Sequence, residues 1–177
     1  MWALYEAVPE HVRPAILLGM FAGLRVAEVS ALRVADIDFV RGVVYPKRQW
    51  PDKPLKTAAS ETPIPIPREL TLLLSAVHEK WSHDHMVTNG EGMPLPPWII
   101  ERRVRELREA GAVPGLPDEF SFHDLRHFFA SLLISKGAPT SRRFRHGFAT
   151  PAPRRRSTLT GTCGRTQTSP PASRSVK

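Results

Sequence analysis

The chain has 177 residues, 41% of them hydrophobic, which is enough for one domain of ordinary size with its own core. The formal charge of +8 invites a nucleic-acid partner, but residues 139–177 hold eight Arg, one Lys and no acidic residue (+9), leaving 16 basic against 17 acidic side chains (−1) for residues 1–138. The single cysteine, Cys163, excludes a disulfide or a cysteine-ligated zinc site in the body, and without a signal peptide or a membrane-length apolar run the expectation is a cytoplasmic protein.

In chain order, Val12, Ala15, Ile16, Leu17 and Met20 recur at helical spacing, predicting a helix over residues 9–20 that stops at Ala22-Gly23. A second short helix is expected over Val26–Arg33 with Val29 and Leu32 inward, and Ile37 and Phe39 alternate with Asp36 and Asp38 as a strand begins. Val43-Val44-Tyr45 and Ile64-Pro65-Ile66 are β-rich runs joined by a long polar connection containing prolines, which predicts a small hairpin or meander. Pro67-Arg68-Glu69 suits a helix start, and Leu70, Leu73, Leu74 and Val77 give it a core-facing stripe. Residues 82–97 are expected to be loop. Another helix is expected over Trp98–Ala110, with Trp98, Ile99, Val104 and Leu107 apolar, before a Gly/Pro connector at 111–117. The best-bounded helix starts after the N-cap Ser121, carries Phe122, Leu125, Phe129, Leu132 and Leu133 inward, and ends at Gly137.

On that last helix His123 and Arg126 are three apart and are expected on one face, opposite Phe122, Leu125 and Phe129. An imidazole beside a guanidinium at a helix start suits an oxyanion such as phosphate. Either motif alone reads as readily as a solvated helix face, and Arg25 with Glu28 as a surface pair. His78, His83 and His85 lack a partner carboxylate at helical spacing and are not expected to hold a metal, while Trp50, Trp81 and Trp98 are expected to pack rather than stack on bases.

The combination is more specific. Gly23-Leu24-Arg25-Val26-Ala27-Glu28 with Ile37-Asp38 downstream, Lys56-Thr57 and Ser60 ahead of Ile64-Pro65-Ile66, and His123-Asp124-Leu125-Arg126-His127 occur in this order. Together they resemble the first arginine box, the lysine hairpin and the second arginine box of the tyrosine recombinases, the phage integrase family. The resemblance implies a mainly helical α+β catalytic core with a small β-sheet, covering residues 1–138. It also implies site-specific DNA recombination or integration, in which a tyrosine attacks a phosphodiester without metal or other cofactor. Double-stranded DNA would be the partner, with assembly of several copies on it in intact relatives, and no membrane or small-molecule substrate is implied. By resemblance Arg25 and Arg126 clamp the phosphate, Lys56 on a mobile hairpin turn protonates the leaving oxygen, and His123 assists by hydrogen bonding and proton transfer. Glu28 would support the site rather than react.

The chain departs from the family in its tail. Its two tyrosines are Tyr5 and Tyr45, both upstream of the second box, and residues 139–177 are expected to be a disordered basic tail. A shifted reading frame lets Phe148-Ala149-Thr150 become Leu-Arg-His and Thr160–Gly164 become Tyr-Gly-His-Leu-Trp. A one-base loss, or a gain of two, near codon 138 accounts for both, as would a sequencing error. The resemblance starts inside the family's catalytic domain rather than at its usual N-terminal DNA-gripping domain, so the expectation is a truncated catalytic domain. The chain is therefore expected to lack cleavage activity; the alternatives are an inert DNA-binding relic or an unstable pseudogene product.

Overall fold

The computed structural model describes residues 1–81 and 84–136. At its centre is α2 (Arg13–Ala22), buried along almost its whole length from Pro14 to Met20 and again at Ala22. A helix apolar on all sides must be covered on all sides. α1 (Trp2–Ala7), α3 (Val26–Ala31), α4 (Arg68–Trp81) and α6 (Phe122–Ser135) all pack against it. α5 (Pro97–Glu109) packs outside these, against α3 and α6. α6 comes close to α2 at Gly19, where an added Cβ would lie 3.0 Å from Leu125 Cδ1 and 3.1 Å from Phe122 Cζ. The missing side chain lets α6 settle directly onto α2.

The strands are short. β1 (Ile37–Asp38), β2 (Val43–Val44) and β5 (Ile64–Pro65) form an antiparallel sheet in the order β1-β2-β5, with Ile37 opposite Val44 and Val44 opposite Ile64. The connection between β2 and β5 contains a second antiparallel pair, β3 (Arg48–Gln49) and β4 (Lys53–Pro54). The amide of Trp50 donates to the Ala27 carbonyl at 2.8 Å, which fastens this hairpin to α3.

The mainly helical α+β class and the small meander agree with the expectation. Several local readings need correction. The first predicted helix opens as a 3-10 turn, Glu10–Val12, and becomes α-helical at Arg13, with Pro14 in the first turn where its missing amide costs nothing. In α5 the buried pair is Ile100 and Val104, and Trp98 is 58% exposed. Two residues are about 200° of helix, so Trp98 must face away from Ile100. It lies edge-on to Trp50 with ring centroids 5.9 Å apart. Ser121 is the N-cap of α6 as expected, and Asp124 completes a capping box, its Oδ2 accepting from the Ser121 hydroxyl and amide at 2.8 and 2.9 Å. Gly137, the expected C-cap, lies outside the described residues, as do His83 and the whole of 139–177. Among the described residues no helix is long and apolar enough to cross a membrane.

Candidate active site

Gly23 ends α2 in the left-handed conformation, φ 61°, which a residue without Cβ adopts freely. The amide of Leu24 folds back onto the Leu18 carbonyl at 3.3 Å, and the Leu24 side chain is fully buried. Arg25 is thereby delivered to the N-cap of α3 with its side chain 44% exposed. Glu28, only 3% exposed, holds it twice: Oε2 accepts from the Arg25 amide at 3.0 Å and Oε1 from Nη1 at 3.1 Å. A charge-assisted bond on each side of the residue leaves the guanidinium little rotational freedom.

The same Nη1 donates to Ser60 Oγ at 3.5 Å, and Ser60 Oγ lies 3.1 Å from Thr57 Oγ1. Both hydroxyls belong to the 3-10 turn region Ala58–Glu61 and its N-cap, immediately after Lys56. The spacing Lys-Thr-x-x-Ser therefore has a physical reading: the two hydroxyls close the turn, and the buried serine ties the lysine's loop to Arg25. Lys56 itself is exposed on the cleft rim. It lies just past the end of β4, within the long connection between the paired strands β2 and β5.

Arg25, Lys56 and His123 line one cleft of about 420 Å³, together with Leu24, Gln49 and Glu101 among others. Arg126 is not among its lining residues. It is 2% exposed and donates through Nη1 to the Gly23 carbonyl. The expectation that His123 and Arg126 share a face is thus corrected. His123 is exposed and meets His127, while Arg126 turns inward because the carbonyl freed by the left-handed Gly23 lies on that side. Arg126 therefore supports the chain segment that presents Arg25, from directly behind it.

His123 is held below the ordinary histidine range, chiefly by partial burial and further by the positive charges of His127, Arg126 and Arg25, with Asp124 opposing. Its ring is neutral at pH 7, able to accept one proton and donate another. Neither tyrosine lines the cleft. Tyr5 sits on α1 beneath the Arg13 guanidinium, 5.1 Å from the ring centre. His78 stacks on Phe39 and His85 faces Asp84, apart from one another's ring contacts. Gln49 and Glu101 were not found from sequence. The Pro51-Asp52 pair is a turn signal that would have placed the hairpin and with it Gln49; nothing marks Glu101 beyond its helix.

A mainly helical core that carries a small sheet, with a cleft where Arg25, Lys56 and His123 meet, is the architecture of a tyrosine recombinase catalytic core. The chain belongs to the phage integrase family, whose model matches residues 3–150. The fold is similar to that of the XerA recombinase, with a TM-score of 0.61 at 19% identity over 78% of this chain and 49% of that one. It is similar also to a lambda integrase dimer bound to a COC′ core site, with a TM-score of 0.59 at 21% identity over 77% and 50%. The Tn1549 transposon integrase in complex with transposon right end DNA gives 0.62 at 19% identity over 73% and 48%. The chain thus spans about half the length of these structures. A search of curated proteins gives no match.

Proposed function

We propose that residues 1–138 are part of the catalytic core of a site-specific DNA strand transferase, that Arg25, Lys56 and His123 form its phosphate site with Arg126 bracing Arg25 from behind, and that this chain binds duplex DNA without cleaving it. The observation that carries the reading is the cleft in which Arg25, Lys56 and His123 converge, with Arg126 fixing the Gly23 carbonyl behind Arg25. Guanidinium groups suit the spread charge of a phosphoryl transition state, and an exposed ammonium at the rim is placed to donate a proton to a leaving oxygen. The neutral His123 ring completes the set as a hydrogen-bond partner. No resident metal or other cofactor enters this scheme. The lambda integrase structure is of a dimer on DNA, and a homo-oligomer on DNA is the corresponding proposal for the intact form of this protein. The basic residues of 139–177 add non-specific attraction for the phosphate backbone.

The test separates cleft from tail. Binding of a short duplex by the full chain is measured as a function of salt for the parent, Arg25→Ala and Lys56→Ala. Each substitution is expected to weaken binding by roughly tenfold and to reduce the salt slope by about one phosphate contact. Unchanged affinity and slope in both variants would assign all binding to the tail and discard the cleft as a phosphate site. No binding at all by the parent would overturn the reading and leave the pseudogene product without function.

A further inference from the structure

The exposed side of α6 has a feature that phosphate binding does not use. His123 and His127 are four residues apart and therefore neighbours on one helix face. Their ring centroids are 4.7 Å apart and their planes are inclined at 83°. Two imidazoles bound to one ion at about 2.1 Å, with roughly 90–110° between the two bonds, have centroids about 4.6–5.3 Å apart. The pair is already at that separation. The second side-chain torsion of histidine is broad, so each ring can turn a nitrogen toward a common point while the helix stays fixed.

The surroundings permit a cation. The backbone beneath the pair is anchored by the buried Phe122, Leu125, Arg126 and Phe129. The two nearby guanidinium groups are both engaged: Arg25 pairs with Glu28 at 3.1 Å and Arg126 bonds the Gly23 carbonyl. Asp124 is committed to the helix start through Ser121. Among the described residues no group of three or more His, Cys, Asp or Glu gathers to hold a metal, so the protein supplies two ligands and water or an anion completes the shell.

We infer that His123 and His127 form a two-imidazole seat for a late first-row divalent cation, Ni²⁺, Cu²⁺ or Zn²⁺, on the rim of the cleft. Imidazole is the ligand these ions favour, and an exposed pair on a rigid helix pays little to be organised. The seat shares His123 with the cleft. A bound cation takes the lone pair of that ring and fixes its tautomer, so His123 offers the cleft only an N–H. The seat thus converts a ring that can accept or donate into an obligate donor.

Calorimetric titration of the full chain with NiCl₂ tests this, because seven histidines are present and the variants discriminate among them. His127→Gln is expected to weaken Ni²⁺ binding by about tenfold or more, whereas His85→Gln and His146→Gln leave it unchanged. Thermal melting without metal checks that His127→Gln is folded, and the rise in melting temperature that Ni²⁺ gives the parent should vanish in it. A readout free of substitution is NMR of the parent, in which paramagnetic Ni²⁺ should broaden the His123 and His127 ring signals before those of His11, His78 and His85. Equal Ni²⁺ affinity in the parent and His127→Gln, or broadening confined to other histidines, would overturn the seat.

Discussion

A nicked duplex that traps covalent protein–DNA intermediates should yield no adduct with the 177-residue chain. It should yield one when the segment after codon 138 is returned to the frame that reads Tyr-Gly-His-Leu-Trp. On the proposed reading the cleft groups stabilise and protonate, and no tyrosine lines the cleft to form the phosphotyrosyl bond. Removing the nucleophile from a covalent catalyst costs on the order of 10⁶ in rate, which places the chain as it stands below detection in such an assay. Tyr45 cannot substitute, because its amide is tied to the Asp36 carbonyl at 2.8 Å in the sheet region and its ring is not part of the cleft lining. Tyr5 is held against Arg13 on the N-terminal helix. Gel separation under denaturing conditions reads the result directly. An adduct from the unrestored chain, mapped by peptide sequencing to Tyr5 or Tyr45, would reverse the reading of the site.

The second large effect is structural. Gly19→Leu is expected to destabilise the protein by about 3 kcal/mol or more, because the new side chain must occupy space held by Leu125 and Phe122 at 3.0–3.1 Å from its Cβ. Gly19→Ala is the informative control. It gains up to about 1 kcal/mol in helix propensity but forces the α2–α6 contact apart by a few tenths of an ångström, so its net loss should be small. Urea unfolding measures both. Since α6 carries His123 and Arg126, duplex affinity should fall in parallel with stability in Gly19→Leu. A Gly19→Leu protein as stable as the parent would mean that α6 does not rest on α2 as described.

What could be read from the sequence depended on how local the cause was. α6 was legible because its cap and its stripe lie within one segment. α2 was legible because its apolar residues and its terminal glycine adjoin. The two-residue strands β3 and β4 have no periodicity to detect, and α1 owes its place to burial of Leu4 against α2 rather than to any strong internal pattern. Trp98 could be named as an apolar member of α5, but its side was not legible; the phase set by Ile100 and Val104 turns it outward. At the site, the grouping of Arg25 with Lys56 and His123 was suggested by family resemblance, not by spacing. The inward turn of Arg126 could not be read at all, since its partner is a backbone carbonyl whose orientation depends on the φ of Gly23. Glu28 and Ser60 were visible as letters, but their hold on Arg25 is a matter of three-dimensional distance.

The bond from Arg126 to the Gly23 carbonyl spans 103 residues of chain. During synthesis at about 5–20 residues per second, the segment bearing Arg25 leaves the ribosome roughly 5–20 s before the arginine that braces it exists. Through that interval α2, apolar on all sides, has no α6 to cover Gly19 and waits with that flank exposed. The order of emergence therefore makes α2 a natural client for a chaperone, and the site is the last part of the body to be assembled.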